Sequence, residues 1–129
     1  MKTISPFLPR WLVAAATVLL LGLPALPASA QSPAMETEID YLIEQVGRDR
    51  CNFIRNDRPM LGREAREHLQ SKRERNAALF SSTEEFIEKI ASRSETTGQP
   101  YLIRCARRFQ LSSEEWMTML LEHYREDNS

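Results

Sequence analysis

The sequence predicts a mainly α-helical fold: about four helices around a short two-stranded antiparallel ribbon, with one disulfide, after a cleaved signal peptide. Three observations carry this expectation. Apolar residues recur at three-and-four spacing in separate stretches, the mark of helices with one buried face. Two short β-prone runs, 51–55 and 101–105, each carry one of the two cysteines. The first thirty residues have the order of an export signal.

That signal is read as follows. Met1-Lys2 and Arg10 supply positive charge, residues 11–23 carry none, Pro24 and Pro27 break the apolar run, and Ala28-Ser29-Ala30 offers a small-x-small cleavage site. A membrane-spanning helix needs about 20 apolar residues, and this run is shorter. Cleavage after Ala30 would leave residues 31–35 as a short polar leader and 36–129 as one globular domain, periplasmic and without a further membrane span. Losing Lys2 and Arg10 leaves 15 basic residues against 18 acidic, a net charge of −3. Roughly a hundred residues build one modest core, so function is expected on the surface or in a shallow groove.

The elements follow in chain order. Ile39, Leu42, Ile43 and Val46 share one helical face, with Glu36, Glu38 and Asp40 near the positive end of the helix dipole. The β-prone run 51–55 precedes Asn56-Asp57-Arg58-Pro59, read as a turn cluster. A thinly apolar helix runs from about 62 to 78 with charges of alternating sign. Ser82-Thr83-Glu84-Glu85 and Ser112-Ser113-Glu114-Glu115 read as capping boxes that open two later helices. Between them, residues 92–99 form a hydroxyl-rich loop and 101–105 the second strand. Antiparallel pairing sets Cys51 opposite Cys105, Phe53 opposite Ile103 and Arg55 opposite Tyr101. A disulfide, an apolar pair and equal strand lengths then share one register.

Chemistry is sparse. Glu64, His68 and Lys72 stand at i, i+4, i+8 on one stripe, where a carboxylate can tune an imidazole as a general base. The plainer reading puts His68 and Lys72 at the border of the core, with Lys72 covering apolar surface by its stem. Zinc would need at least three protein ligands, and spacing ties no third group to the set, so neither metal nor cofactor is expected. No nucleophile elbow and no phosphate-cradling glycine loop occurs.

Residues 48–75 hold nine basic residues against five acidic, and Arg104, Arg107 and Arg108 form a second basic knot. A basic face of this kind meets anionic lipid, polyanionic glycan or an acidic protein, unless acidic segments of the same domain neutralise it. Net charge and compartment argue against nucleic acid.

Several spaced motifs resemble a known family. Phe53-Ile54-Arg55-Asn56, Glu64-Ala65, His68-Leu69, Lys72, Thr83-Glu84-Glu85-Phe86-Ile87, Ala91-Ser92, Ser94 and Gly98-Gln99-Pro100-Tyr101 are similar to the YfeK-like family, small exported proteins of Gram-negative bacteria with a domain of unknown function. The resemblance covers roughly residues 36–125. It departs at Asp57, where a glycine is usual, and at Glu95-Thr96, which replace a more serine-rich stretch. It implies a periplasmic address and carries no catalytic residue. It also marks Arg55, Asn56, Glu64, His68, Lys72, Ser94, Gly98 and Tyr101 as candidate binding positions. The expectation is a non-catalytic binding or accessory module for an envelope protein or an anionic envelope component. The alternatives are an envelope-acting hydrolase using Glu64 and His68, and a structural or stress-related envelope protein.

Overall fold

The computed structural model describes residues 3, 22–24, 31–48, 50–106 and 109–129. The signal-peptide reading therefore lies almost wholly outside the described residues, and so do Arg107 and Arg108. No described helix is long and apolar enough to cross a membrane.

Helix α1 spans Pro33–Gln45, so the stretch 31–35 read as a polar leader instead supplies its N-cap and first turn, with Met35 buried. Pro33 stands in its first turn, where a missing N–H costs nothing, and the Ser32 hydroxyl accepts from the Met35 amide at 3.2 Å. Met35, Ile39, Leu42 and Ile43 form its buried face. Helix α2 spans Gly62–Arg75. The end of α1 abuts its start so closely that a Cβ on Gly47 would fall 2.2 Å from the Gly62 Cα, and Gly47 has φ +77°. Glycine is required there on both counts. Helix α3, Thr83–Phe86, continues as a π-helical turn over Ile87–Ala91. Helix α4 spans Ser113–Asp127.

The expected two-stranded ribbon is corrected: the sheet has four antiparallel strands, and the fold is mixed α and β. They are β1 (Cys51–Arg55), β2 (Arg58–Met60), β3 (Leu102–Cys105) and β4 (Phe109–Ser112), in the order β2-β1-β3-β4. Strand β2 was hidden in the turn cluster. The turn is only Asn56-Asp57, with φ of 49° and 63°, the left-handed pair that matches the twist of a two-residue hairpin. Pro59 is tolerated because β2 is an edge strand and pairs on one side only. Strand β4 was hidden in the approach to α4, since Ser112 is both its last residue and the N-cap of that helix.

The β1–β3 register is as expected for Cys51 with Cys105, which are disulfide-bonded, and for Phe53 with Ile103. The ladder ends at Ile54–Leu102. Arg55 therefore pairs across the hairpin with Arg58, not with Tyr101. Tyr101 bonds outside the ladder, its amide to the Ser92 carbonyl at 2.9 Å and its carbonyl from the Ser113 amide at 2.8 Å. Of the two capping boxes, Ser112/Glu115 is reciprocal, whereas the Glu85 carboxylate reaches Ser81 and leaves Ser82 to cap alone. Phe53, Tyr101 and Ile103 from the sheet side meet Ile39, Leu42, Leu69, Phe86, Ile90, Met117 and Leu121 in one core.

Candidate binding site

The basic segment is largely neutralised within the domain. Arg48, Arg63, Arg73 and Arg75 form ion pairs with Glu44, Glu67, Glu36/Asp40 and Glu95 respectively. Arg66 donates to the Val46 carbonyl at 2.7 Å and so caps α1. The broad cationic face thereby contracts to Arg50, Arg55 and Arg58.

Arg55 joins a polar hub. Lys72, only 1% exposed, points its ammonium inward. It donates to the Ile90 carbonyl at 2.7 Å, the Arg93 carbonyl at 2.8 Å and the Tyr101 hydroxyl at 3.2 Å. It thus satisfies carbonyls at the C-terminal end of α3 and its π-turn, where a helix favours a cation. Lys72 is therefore an internal strut and not the border residue expected from its spacing.

The Tyr101 side chain is fully buried, and its hydroxyl stands 2.9 Å from His68 Nε2. Burial lowers the His68 pKa to about 4, helped by the charges of Arg55, Lys72 and Arg75 and opposed by Glu95. Burial likewise raises Tyr101 and lowers Lys72. At neutral pH the imidazole is thus uncharged and the phenol protonated. The phenol donates to Nε2, and its oxygen accepts from Lys72, with the Arg55 charge acting on it as well. That ordering places the imidazole proton on Nδ1.

Titrating His68 tests this arrangement. Its folded pKa lies below the ordinary 6.5, so between about pH 4 and 6.5 the unfolded chain binds more protons. Stability then falls as pH drops through that window. Allowing for partial exposure, the His68 share is about 1 kcal/mol between pH 7 and 5. Urea unfolding of wild type and His68→Gln at both pH values should show that difference shrinking in the variant; equal pH slopes would refute a neutral, engaged His68.

The other candidate positions adjoin the hub. The Thr97 hydroxyl donates to Asn56 Oδ1 at 2.5 Å and ties the hydroxyl-rich loop to the β1–β2 turn. Within the loop, the Gly98 amide bonds the Ser94 carbonyl, and the Ser94 amide bonds the Gln99 carbonyl, both at 2.9 Å. Ser94 is buried and Gly98, at φ +72°, is exposed, so the first shapes the loop and the second forms its surface. Glu64 lies one helical turn before His68 yet makes no hydrogen bond or ion pair among the described residues; it lines a small crevice with Arg55 and Asn56 instead. All eight positions therefore gather in one neighbourhood built from the hairpin, α2 and the 92–101 segment.

Sequence reasoning missed Arg58 and Thr97. A two-residue hairpin over Asn56-Asp57 was the signal that would have set Arg58 opposite Arg55; Thr97 was marked only as part of the hydroxyl-rich loop 92–99.

The fold and hub define a small disulfide-bonded α and β domain with a buried Lys-Tyr-His cluster beside a cationic hairpin. Residues 33–125 match a family of unknown function, DUF5329, and the chain belongs to that family. No curated protein and no solved structure matches it. Of the resemblance drawn from sequence, membership in an uncharacterised family stands, and the match does not confirm the YfeK-like name.

Proposed function

We propose that this protein is a periplasmic, non-catalytic binding or accessory module. Its recognition surface comprises Arg55, Asn56, the exposed edge of His68 and the loop around Gly98. One observation carries the reading. Positions from three separate segments converge on the Tyr101 hub, and their outward groups are mainly hydrogen-bond donors under a net positive field. Such an array suits an anionic group on a partner.

A binding role is favoured over hydrolysis by the state of the acid–base groups. General catalysis works best with a pKa near the operating pH. His68 is held at about 4, Tyr101 is pushed upward, and Lys72 is engaged by two carbonyls. The Glu64–His68 hydrogen bond that a hydrolase would use is not formed. The Cys51–Cys105 bond fits an oxidising compartment and supports the exported address, as does the resemblance to small exported proteins.

Pull-down from a periplasmic extract provides the test. An Arg55→Ala/His68→Ala variant should lose partners that wild type retains, and identical recovery of every partner would count against this surface.

A further inference from the structure

We propose that the crevice between the β1–β2 hairpin and the first turn of α2 binds a small α-amino acid, its carboxylate toward Arg55 and Arg58 and its ammonium toward Glu64. The proposal deepens the binding reading and rests on it for the choice of site, but it concerns a crevice that a larger partner need not enter.

The crevice encloses about 230 Å³ and is lined by Arg55, Asn56, Arg58, Pro59, Met60 and Glu64. That is slightly below the usual range for small-molecule pockets, about 300–1,000 Å³, which restricts the occupant to a few heavy atoms.

Its charges are arranged unusually. Arg55 and Arg58 are directly opposed across the hairpin, on the same face of the two strands. Like charges so placed repel, and an anion between them relieves the repulsion. The exposed Arg58 guanidinium can take a carboxylate in the fork geometry that arginine prefers, and the Arg55 charge opposite it adds attraction.

Glu64 decides between a bare anion and a zwitterion. Were its role to neutralise the two arginines, it would sit in contact with one of them. Among the described residues neither Glu64 nor Arg58 forms an ion pair, although both line the same crevice. The crevice thus holds two cations and one anion apart from each other. A ligand with a carboxylate and an ammonium on one carbon joins them, whereas a simple anion meets repulsion from Glu64. Pro59 and Met60 supply the apolar wall.

The test is amide NMR titration of the purified protein with alanine, serine and aspartate. Acetate serves as the carboxylate-only control and alaninamide as the ammonium-only control. At least one amino acid should give saturable shifts at Asn56, Arg58 and Glu64, with affinity tenfold or more above both controls. Arg58→Ala should abolish the shifts, and Glu64→Gln should reduce the amino acid to the level of acetate. Arg58 and Glu64 are exposed, so unchanged melting temperatures are expected for both variants. Absence of saturable shifts with all three amino acids overturns the proposal, and so does acetate binding as tightly as the best of them. Running the two variants in the pull-down separates the questions. Partners retained by a variant that has lost the amino acid leave the recognition surface standing, and partners lost only with Arg55→Ala/His68→Ala locate that surface outside the crevice.

Discussion

Replacing Cys51 and Cys105 together with serine is expected to lower the unfolding free energy by about 4 kcal/mol. The two are separated by 54 positions, so the bond closes a loop that contains β2, α2, α3 and the hydroxyl-rich segment. Opening it gives the unfolded chain the freedom of that whole loop, at a cost that grows only slowly with loop length. The bond also fastens the first rung of the central β1–β3 pair. Urea unfolding of oxidised wild type and the double variant measures the difference. A midpoint shift worth less than about 1 kcal/mol would mean that sheet and core hold this loop without the bond.

Lys72→Met is expected to cost about 3 kcal/mol. Methionine keeps the length of the stem and removes the ammonium. The Ile90 and Arg93 carbonyls and the Tyr101 oxygen then lose a charged donor, a bond to a charged group contributing about 1.5–3 kcal/mol net when taken singly. Relief from burying an ammonium offsets part of that loss. A second readout separates the strut from simple packing: Lys72 is one of the charges that lower His68, so its removal must raise the His68 titration point. A stable Lys72→Met variant with unmoved His68 titration would show that the ammonium's charge does not act on His68.

What the sequence disclosed depended on how local each signal was. The Cys51–Cys105 pairing and the Phe53–Ile103 partnership were legible because two short runs of equal length carry matching residues at matching offsets. Helix α4 was legible because periodicity and cap agree, and α1 by periodicity alone, its Ser32 cap lying in the stretch read as a leader. Strands β2 and β4 were not, being short edge strands whose residues double as turn and cap. Arg58-Pro59-Met60 has no alternation to read, and only the positive φ of Asn56 and Asp57 makes room for it.

The site divides in the same way. The stripe Glu64, His68, Lys72 was visible as helical spacing, but its partition was not. Lys72 turns inward because the end of the π-turn brings two carbonyls to it, and Glu64 comes to line a crevice with Arg55 and Arg58 without contacting either. Both facts are tertiary, and no window of sequence contains them.

The contact between α1 and α4 has a consequence for how the chain is made. Tyr41 of α1 stacks on Tyr124 of α4 at 4.5 Å, and Arg125 donates to Glu38 at 2.7 Å while also reaching Glu84. Helix α1 is synthesised early, yet part of its cover arrives only 87 positions later. At about 5–20 residues per second, the growing polypeptide passes on the order of ten seconds on the ribosome with that helix unfinished. For the exported address proposed for this protein, the delay is useful. On that proposal, a polypeptide that closes its core with a segment made so late would still be a threadable polymer when a translocation channel accepts it, and its disulfide would form after passage.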